Sequence, residues 1–291
     1  MIGLGKMLYK AFAPRIQARF QRSFRYFQSR IPKLEIVEGK YIVRLARTSE
    51  EVEKALRLRF EVFNLELNEG LQSSYLTGRD EDEFDSTCHH LIAIDRMNNQ
   101  VVGTYRLRTI EMAKAVDGFY SSQEFELENL PLQFLEQSVE IGRACIAREY
   151  RNNRILFLLW KGLANYLIIK KKRYFFGCCS LASQDCAEGL RVYDYLVKNG
   201  YLHPSLRVFP RSGYVCKTDE ILVDETVELP KLFKTYLRIG ARVCSEPAID
   251  RYFKTIDFFV IFDAKEIDPR YYQMFFSEKT PVTKNTQKIC L

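Results

Sequence analysis

The chain has 291 residues, 47% of them hydrophobic and 28% charged, and carries a formal charge of +7. That length buries one large α/β core or one with a half-domain attached, and the composition excludes a disordered or integral-membrane chain. No apolar run approaches the ~20 residues of a bilayer crossing.

Residues 1–39 read as a basic arm. Lys6, Lys10, Arg15, Arg19, Arg22, Arg25, Arg30 and Lys33 precede the first acid, Glu35, and Leu4, Leu8, Phe12, Ile16, Phe20, Phe24 and Phe27 recur near helical spacing. Pro14 kinks or divides that helix. Such a segment suits an anionic membrane surface. An arm packed on its own domain or a second subunit, and an organellar presequence, are the alternatives.

From residue 40 the pattern is α/β. Tyr41–Ala46 reads as a strand, followed by a helix to about Leu65 that Thr48 or Ser49 caps, with Thr48 and Glu51 at capping-box spacing. An acidic loop, Thr77–Asp85, leads to a hairpin of His90–Asp95 and Val101–Arg108. A variable segment with breakers at Asp117-Gly118 and Leu130-Pro131 runs to Gln137. A strand containing Glu140 comes next, then a helix from about Ile155. Its apolar run to Ile169 is interrupted by Lys161 and Asn165 and reads as buried. A strand around Cys178 and a helix over Glu188–Asn199 closed by Gly200 follow. Beyond residue 200 the pattern predicts a helix over Pro230–Ile239, a short strand near Val243, a helix near Ala248 and a strand over Asp257–Phe262. The expected organisation is therefore an arm (1–39), a core (40–200), a C-terminal α/β extension packed on it (201–277) and a frayed polar tail (278–291).

The eight cysteines show no C-x-x-C pairing, so neither a zinc site nor a thioredoxin-like motif is supported. Cys88-His89-His90 cannot all reach one ion, because neighbours on a strand point to alternate faces. No metal is expected. With no secretory signal, a reducing cytoplasm is the expected compartment. The positive charge favours acidic partners, but no aromatic–basic motif supports nucleic-acid binding.

The most informative stretch is Val139–Ala147 followed by Arg148–Arg154. An apolar strand carries Glu140 and Arg143, and a basic turn then feeds a helix N-terminus. Outward N–H groups and positive charge make that turn a seat for a phosphate. A strand glutamate beside it can take a proton from an amine, which together describes moving an acyl group off a phosphate-bearing carrier.

At this point the sequence resembles the bacterial acyl-carrier-protein-dependent N-acyltransferases, above all the ornithine N-acyltransferases of ornithine-lipid synthesis. These are similar in turn to acyl-homoserine-lactone synthases and N-acyl amino acid synthases, all variants of the general-control-related N-acetyltransferase (GNAT) fold. The markers run in order from Leu58-Arg59-Phe60-Glu61-Val62-Phe63 with Glu66, through Asp82-Glu83-Phe84-Asp85 with Cys88 and His90-Leu91, to Val102–Leu107. Gly118–Ser121 with Glu124-Phe125, Glu140–Cys145, Leu229–Ala241 and Pro247–Asp250 complete them. The resemblance implies a central mixed, mostly antiparallel sheet flanked by helices. It further implies that Arg59, Phe63, Asp82, Asp85, Arg106, Glu140 and Arg143 frame the site, the ion pairs walling an amine pocket.

In acetyl-CoA-using relatives the phosphate turn usually contains glycines. Here it has none and carries Arg148, Arg151 and Arg154, which suits the single phosphodiester of a carrier's phosphopantetheine. Lys170–Arg173 offers a second basic surface to an acidic carrier protein, or simply a solvated helix end. The expected reaction is attack of an amino acid's α-amine on a carrier-bound fatty, 3-hydroxyacyl thioester. Glu140, acting through a water, serves as base, a backbone N–H near Ala144 or Cys145 as oxyanion donor, and acyl-phosphopantetheine as co-substrate, with no bound cofactor. Cys145 as nucleophile is the rival. Ornithine is the favoured acceptor, its second ammonium met by the acidic loop Glu81–Asp85; glycine or another amino acid is the alternative. The product points to lipid biosynthesis by a cytoplasmic enzyme peripheral to the membrane. A non-catalytic, hemolysin-like membrane-binding protein is the competing class.

Overall fold

The computed structural model describes residues 31–115, 118–219 and 227–276. Most of the arm expectation (residues 1–30) and the tail 278–291 lie outside the described residues, and no described helix is long and apolar enough to cross a membrane.

A nine-stranded sheet organises the chain. Its strands are β1 (Glu35–Glu38), β2 (Tyr41–Leu45), β3 (His89–Asp95), β4 (Gln100–Thr109), β5 (Ser138–Ile146), β6 (Tyr174–Leu181), β7 (Arg242–Val243), β8 (Ala248–Asp250) and β9 (Thr255–Asp263). They lie in the order β1-β2-β3-β4-β5-β6-β9-β7, with β8 also paired to β9. Every pairing is antiparallel except β5 with β6. The segment after residue 200 thus extends the same sheet. Where a helix was expected near Ala248, β8 pairs with β9 from Ala248↔Asp257 to Asp250↔Thr255, and this pairing overrides alanine's helical preference.

The helices are α1 (Ser49–Arg59), α2 (Ser74–Thr77), α3 (Ile110–Ala115), α4 (Leu132–Glu136), α5 (Asn153–Lys170), α6 (Cys186–Lys198), α7 (Lys231–Ile239) and α8 (Pro269–Phe276). The Thr48 side chain accepts from Glu51 N at 3.2 Å to cap α1, while the Glu51 carboxylate reaches back one residue further than a standard box, to Arg47 N at 2.7 Å. Past Arg59 the helix continues as a π-helix over Phe60–Glu66. The Asp185 carboxylate caps α6 through Ala187 N at 2.8 Å, so that helix begins before the expected Glu188. Gly200, at φ +69°, ends it.

The sheet has two differently covered faces. On one, α5, α7 and α8 pack over Tyr105, Leu107, Phe175, Phe258 and Phe262 around Trp160. Each fully buried apolar side chain there contributes about 1.5–3 kcal/mol. On the other, α1 covers Ile92, Val101 and Cys145, and the segment from Ile110 to Phe134 covers Phe176 and Phe259. Buried charges occupy the gap between those two apolar patches.

Candidate active site

The parallel β5–β6 pairing lasts only from Ser138↔Tyr174 to Glu140↔Phe176. Beyond it β5 stays with β4 to Ile146, while β6 stays with β9 to Leu181. The strands therefore splay, and their facing backbone edges lose their partners. Gly177 stands at the apex, where a Cβ would collide with the Ile141 carbonyl oxygen. A second irregularity lies opposite. Arg106 pairs with Gly142 and Thr104 with Cys145, so Arg143 and Ala144 together face Tyr105 in a β-bulge. Arg143 sits at φ +49°, a conformation costing a non-glycine residue about 1–3 kcal/mol.

A cavity of about 320 Å³ occupies the splay. It is lined from both faces, so it passes through the sheet. Tyr105, Trp160, Phe175, Phe233, Tyr236 and Phe262 line the helix-covered side. There the Tyr105 and Tyr236 hydroxyls bond each other at 2.5 Å, which leaves that end apolar. Glu69, Arg106, Arg108, Tyr120, Glu140, Arg143 and Asp257 line the other side.

The frame of the charged end is a buried network of three arginines and three aspartates. Arg59 donates to Asp80 at 2.7 Å and to Asp85 at 2.6 and 3.1 Å. Arg106 bonds Asp82 at 2.5 Å and Asp85 at 3.1 Å. Arg143 pairs with Asp80 at 3.3 Å and Asp82 at 3.2 Å, and lies against the rings of Tyr120 (4.6 Å) and Phe253 (4.3 Å). Those contacts hold the strained bulge. Burial alone would raise the Asp85 carboxyl, but the Arg59 and Arg106 charges outweigh it and hold the group well below the usual carboxylate range. Phe63 both packs edge-on against Phe253 (5.4 Å) and lines the cavity.

The structure thus brings together Arg59, Phe63, Asp82, Asp85, Arg106, Glu140, Arg143 and Ala144. It adds Asp80, which the sequence reading missed. Glu140 is held in an unforeseen way: its carboxylate accepts from Tyr120 N (2.9 Å), Ser121 N (2.7 Å) and Ser121 Oγ (2.7 Å). Three of the carboxylate's roughly four acceptor sites are thus filled, so Glu140 also anchors the Tyr120–Ser121 turn on the cavity wall.

Four expectations need correction. No carboxylate of the acidic loop lines the cavity to meet a second ammonium: Asp80, Asp82 and Asp85 are matched as above, Glu81 pairs with Arg79 at 3.0 Å, and the exposed Glu83 accepts from Gln123 Nε2 at 3.2 Å. Arg148, Arg151 and Arg154 do not converge on one phosphate seat. Arg151 pairs bidentately with Glu66, Arg154 reaches Glu38 at 3.7 Å and stacks on Tyr41, and Arg148 is exposed. Both carboxylates come from distant segments that local sequence could not place there. The Cys145 side chain points away from the cavity into the core under α1, and burial pushes its thiol up to about 12, which removes it as a nucleophile. The second basic run is also largely used internally, Lys172 by Glu111 (2.8 Å) and Arg173 by Asp263 (2.8 Å). Cys88-His89-His90 splits as expected, with His89 bonding the Tyr166 hydroxyl (2.8 Å) and His90 the Asp85 carbonyl (2.9 Å).

Two further carboxylates reach the cavity unannounced by any motif. Burial and the nearby Asp257 charge push Glu69 up to about 7. Asp257 lies on the wall with Glu124 behind it; their carboxylate oxygens and the Cys178 sulfur fall within 4.8 Å of one another.

Comparison with known proteins gives this architecture its family. Residues 58–161 match the acetyltransferase (GNAT) domain. The chain is 31% identical over 259 residues to the L-ornithine N(alpha)-acyltransferase of Brucella abortus, covering 82% of this chain and 90% of that protein. It is 30% identical over 253 residues to that of Agrobacterium fabrum, covering 82% and 86%. Among solved structures, an N-acyl amino acid synthase from uncultured soil microbes aligns with a TM-score of 0.48 at 9% identity, over 79% of this chain and 93% of that one. With a GNAT-like sheet, the splay and the charged frame in place, the extent of the sequence match decides membership: the chain belongs to the L-ornithine Nα-acyltransferase family.

Proposed function

We propose that this enzyme transfers a fatty, 3-hydroxyacyl group from the phosphopantetheine thioester of acyl carrier protein to the α-amine of ornithine. The observation that carries the reading is the cavity through the sheet, apolar at one end and charged at the other. A long acyl chain lies among Trp160, Phe175 and Tyr236, its thioester in the splay beside Ala144, and the amino acid against the charged face. The thioester is reactive, so alignment and amine deprotonation suffice without a covalent enzyme intermediate. With the Glu140 oxygens engaged, Glu69 is the better base. Its carboxyl faces the cavity, and a value of about 7 lets it accept a proton near neutral pH. The α-ammonium gives one proton to Glu69, the neutral amine attacks the thioester carbonyl, and as the C–S bond breaks the nitrogen's second proton passes to the departing thiolate, leaving the amide and the carrier's free thiol.

The test is release of free thiol from acyl carrier protein thioester and ornithine, with the coenzyme A thioester as the competing donor. The reading predicts turnover with the carrier substrate and a poorer coenzyme A substrate. Equal use of both donors contradicts the carrier assignment. Glu69→Gln should lower kcat by about 10²–10⁴ and abolish the rise in wild-type rate between about pH 6 and 8, the window set by a base near 7. An unchanged pH profile in that variant removes Glu69 as the base.

The basic, Phe-rich arm places the enzyme at an anionic bilayer, where a single-chain lipid product leaves most easily. Salt-sensitive flotation with anionic vesicles should be lost on deleting residues 1–33. Equal flotation of both proteins contradicts that role.

A further inference from the structure

We infer that Asp257, with Glu124 behind it, forms a recess that takes the distal ammonium of a diamino acid acceptor. The inference rests on the reading of the chain as an amino acid N-acyltransferase and adds the residues that select the amino acid.

Three observations converge on this recess. Asp257 is 3% exposed and lines the cavity, and Glu124 is 1% exposed, so neither carboxyl is solvated by bulk water. Asp257 Oδ2 accepts from Thr255 Oγ1 at 3.1 Å, yet Asp257 Oδ1 and both oxygens of Glu124 receive no protein donor. A buried, unmatched acceptor costs about 1–3 kcal/mol, so the free Asp257 oxygen on the cavity wall points to a ligand that donates to it. Finally, the neighbouring charges are already spent. Arg143 is the cation that acts on Glu124, and its guanidinium is paired with Asp80 and Asp82.

An ammonium fits better than a metal ion. Cys178, the third group of the cluster, is pushed up strongly by burial and by Glu124, so it is a thiol at neutral pH. Burial and the Asp257 charge likewise push Glu124 well up, and burial raises Asp257 as well. A divalent cation needs such groups deprotonated together, whereas an alkylammonium donates to Asp257 alone. The position is also suitable. Asp257 pairs with Ser180 on β6, beyond the point where β5 has left, so the recess opens onto the charged end of the cavity.

The test compares wild type, Glu124→Gln and Asp257→Asn with ornithine and 2-aminohexanoate, its isostere with a methyl in place of the distal ammonium. Acyl transfer is read by thiol release and binding by the rise in Tm. Wild type should favour ornithine by at least about 100-fold in kcat/KM, because a site built to bond a polar group rejects the analogue without it. Asp257→Asn should reduce that preference at least about tenfold, mainly through the ornithine value. Glu124→Gln, a neutral side chain of the same shape at a position that does not line the cavity, should remain folded and weaken ornithine less. The Tm arm speaks even if no acceptor is acylated. Ornithine and 1,4-diaminobutane should stabilise wild type and not Asp257→Asn. Acylation with an ornithine preference unaltered in both variants overturns the recess alone, while absence of any acylation overturns the acyltransfer reading. Stabilisation by Zn²⁺ or Mn²⁺ but by neither amine assigns the cluster to a metal and overturns the recess.

Discussion

Asp85→Ala is expected to cost about 3–5 kcal/mol of stability, the usual penalty for leaving a buried ion pair half-made, and to abolish acyl transfer. Asp85 is fully buried and bonds Arg59 twice and Arg106 once, and its carboxylate also accepts from Asp82 N at 2.9 Å. Removing it leaves two buried guanidinium groups short of negative charge and frees the loop that carries Asp82, one of the partners of Arg143. The bulge at Arg143 then loses part of what holds it at positive φ. Denaturant unfolding measures the stability loss, and thiol release measures activity. The pH dependence has a definite sign. Because the folded Asp85 is held below its unfolded value, its stabilisation is complete above the ordinary carboxylate range, about pH 4, and is lost as pH falls through the folded value. The wild-type advantage over Asp85→Ala should therefore be largest at neutral pH and shrink in acid. An advantage that grows in acid contradicts the assignment.

Gly177→Val should be comparably severe for a different reason. Any side chain at 177 meets the backbone carbonyl of Ile141, not a flexible side chain, so β5 and β6 must separate at the apex where they last pair. Overpacking of this kind typically costs about 1–3 kcal/mol, and the splay proposed as the thioester's seat is displaced at the same time. The expected result is a folded but weakened protein with at least about 100-fold lower kcat/KM. A crystal structure or hydrogen exchange of the β5–β6 pair locates the change. Near-normal turnover would mean that the apex geometry does not position the thioester.

The sheet and the charged frame were legible in the sequence to different depths. Strands β2 to β6 and β9 follow from alternation and turn residues that are local, and Thr48 and Gly200 mark helix ends through chemistry confined to one turn. Arg59, Asp82, Asp85, Arg106, Glu140 and Arg143 were found through an ordered series of markers. Asp80 was not, because nothing local distinguishes it from the other acids of the loop; only its burial against Arg59 and Arg143 does. Glu69, Glu124 and Asp257 come from three remote segments and meet only when β9 is inserted beside β6. The same distance hid Glu66 and Glu38 as partners of Arg151 and Arg154, and the donors from Tyr120 and Ser121 that occupy Glu140. Where residues act through a long-range neighbour, composition and spacing are silent. Even α8 escaped notice, since its apolar face is defined by Trp160 and Phe157 on α5.

The central claim is that an amino acid's α-amine is acylated across this sheet. Incubating the purified chain with a long-chain acyl carrier protein thioester and ornithine, then analysing the product by tandem mass spectrometry, tests it most directly. The account predicts one amide, on the α-nitrogen, formed in step with free thiol and absent with Asp85→Ala. Thiol release without amide, or acylation confined to the distal nitrogen, would contradict it.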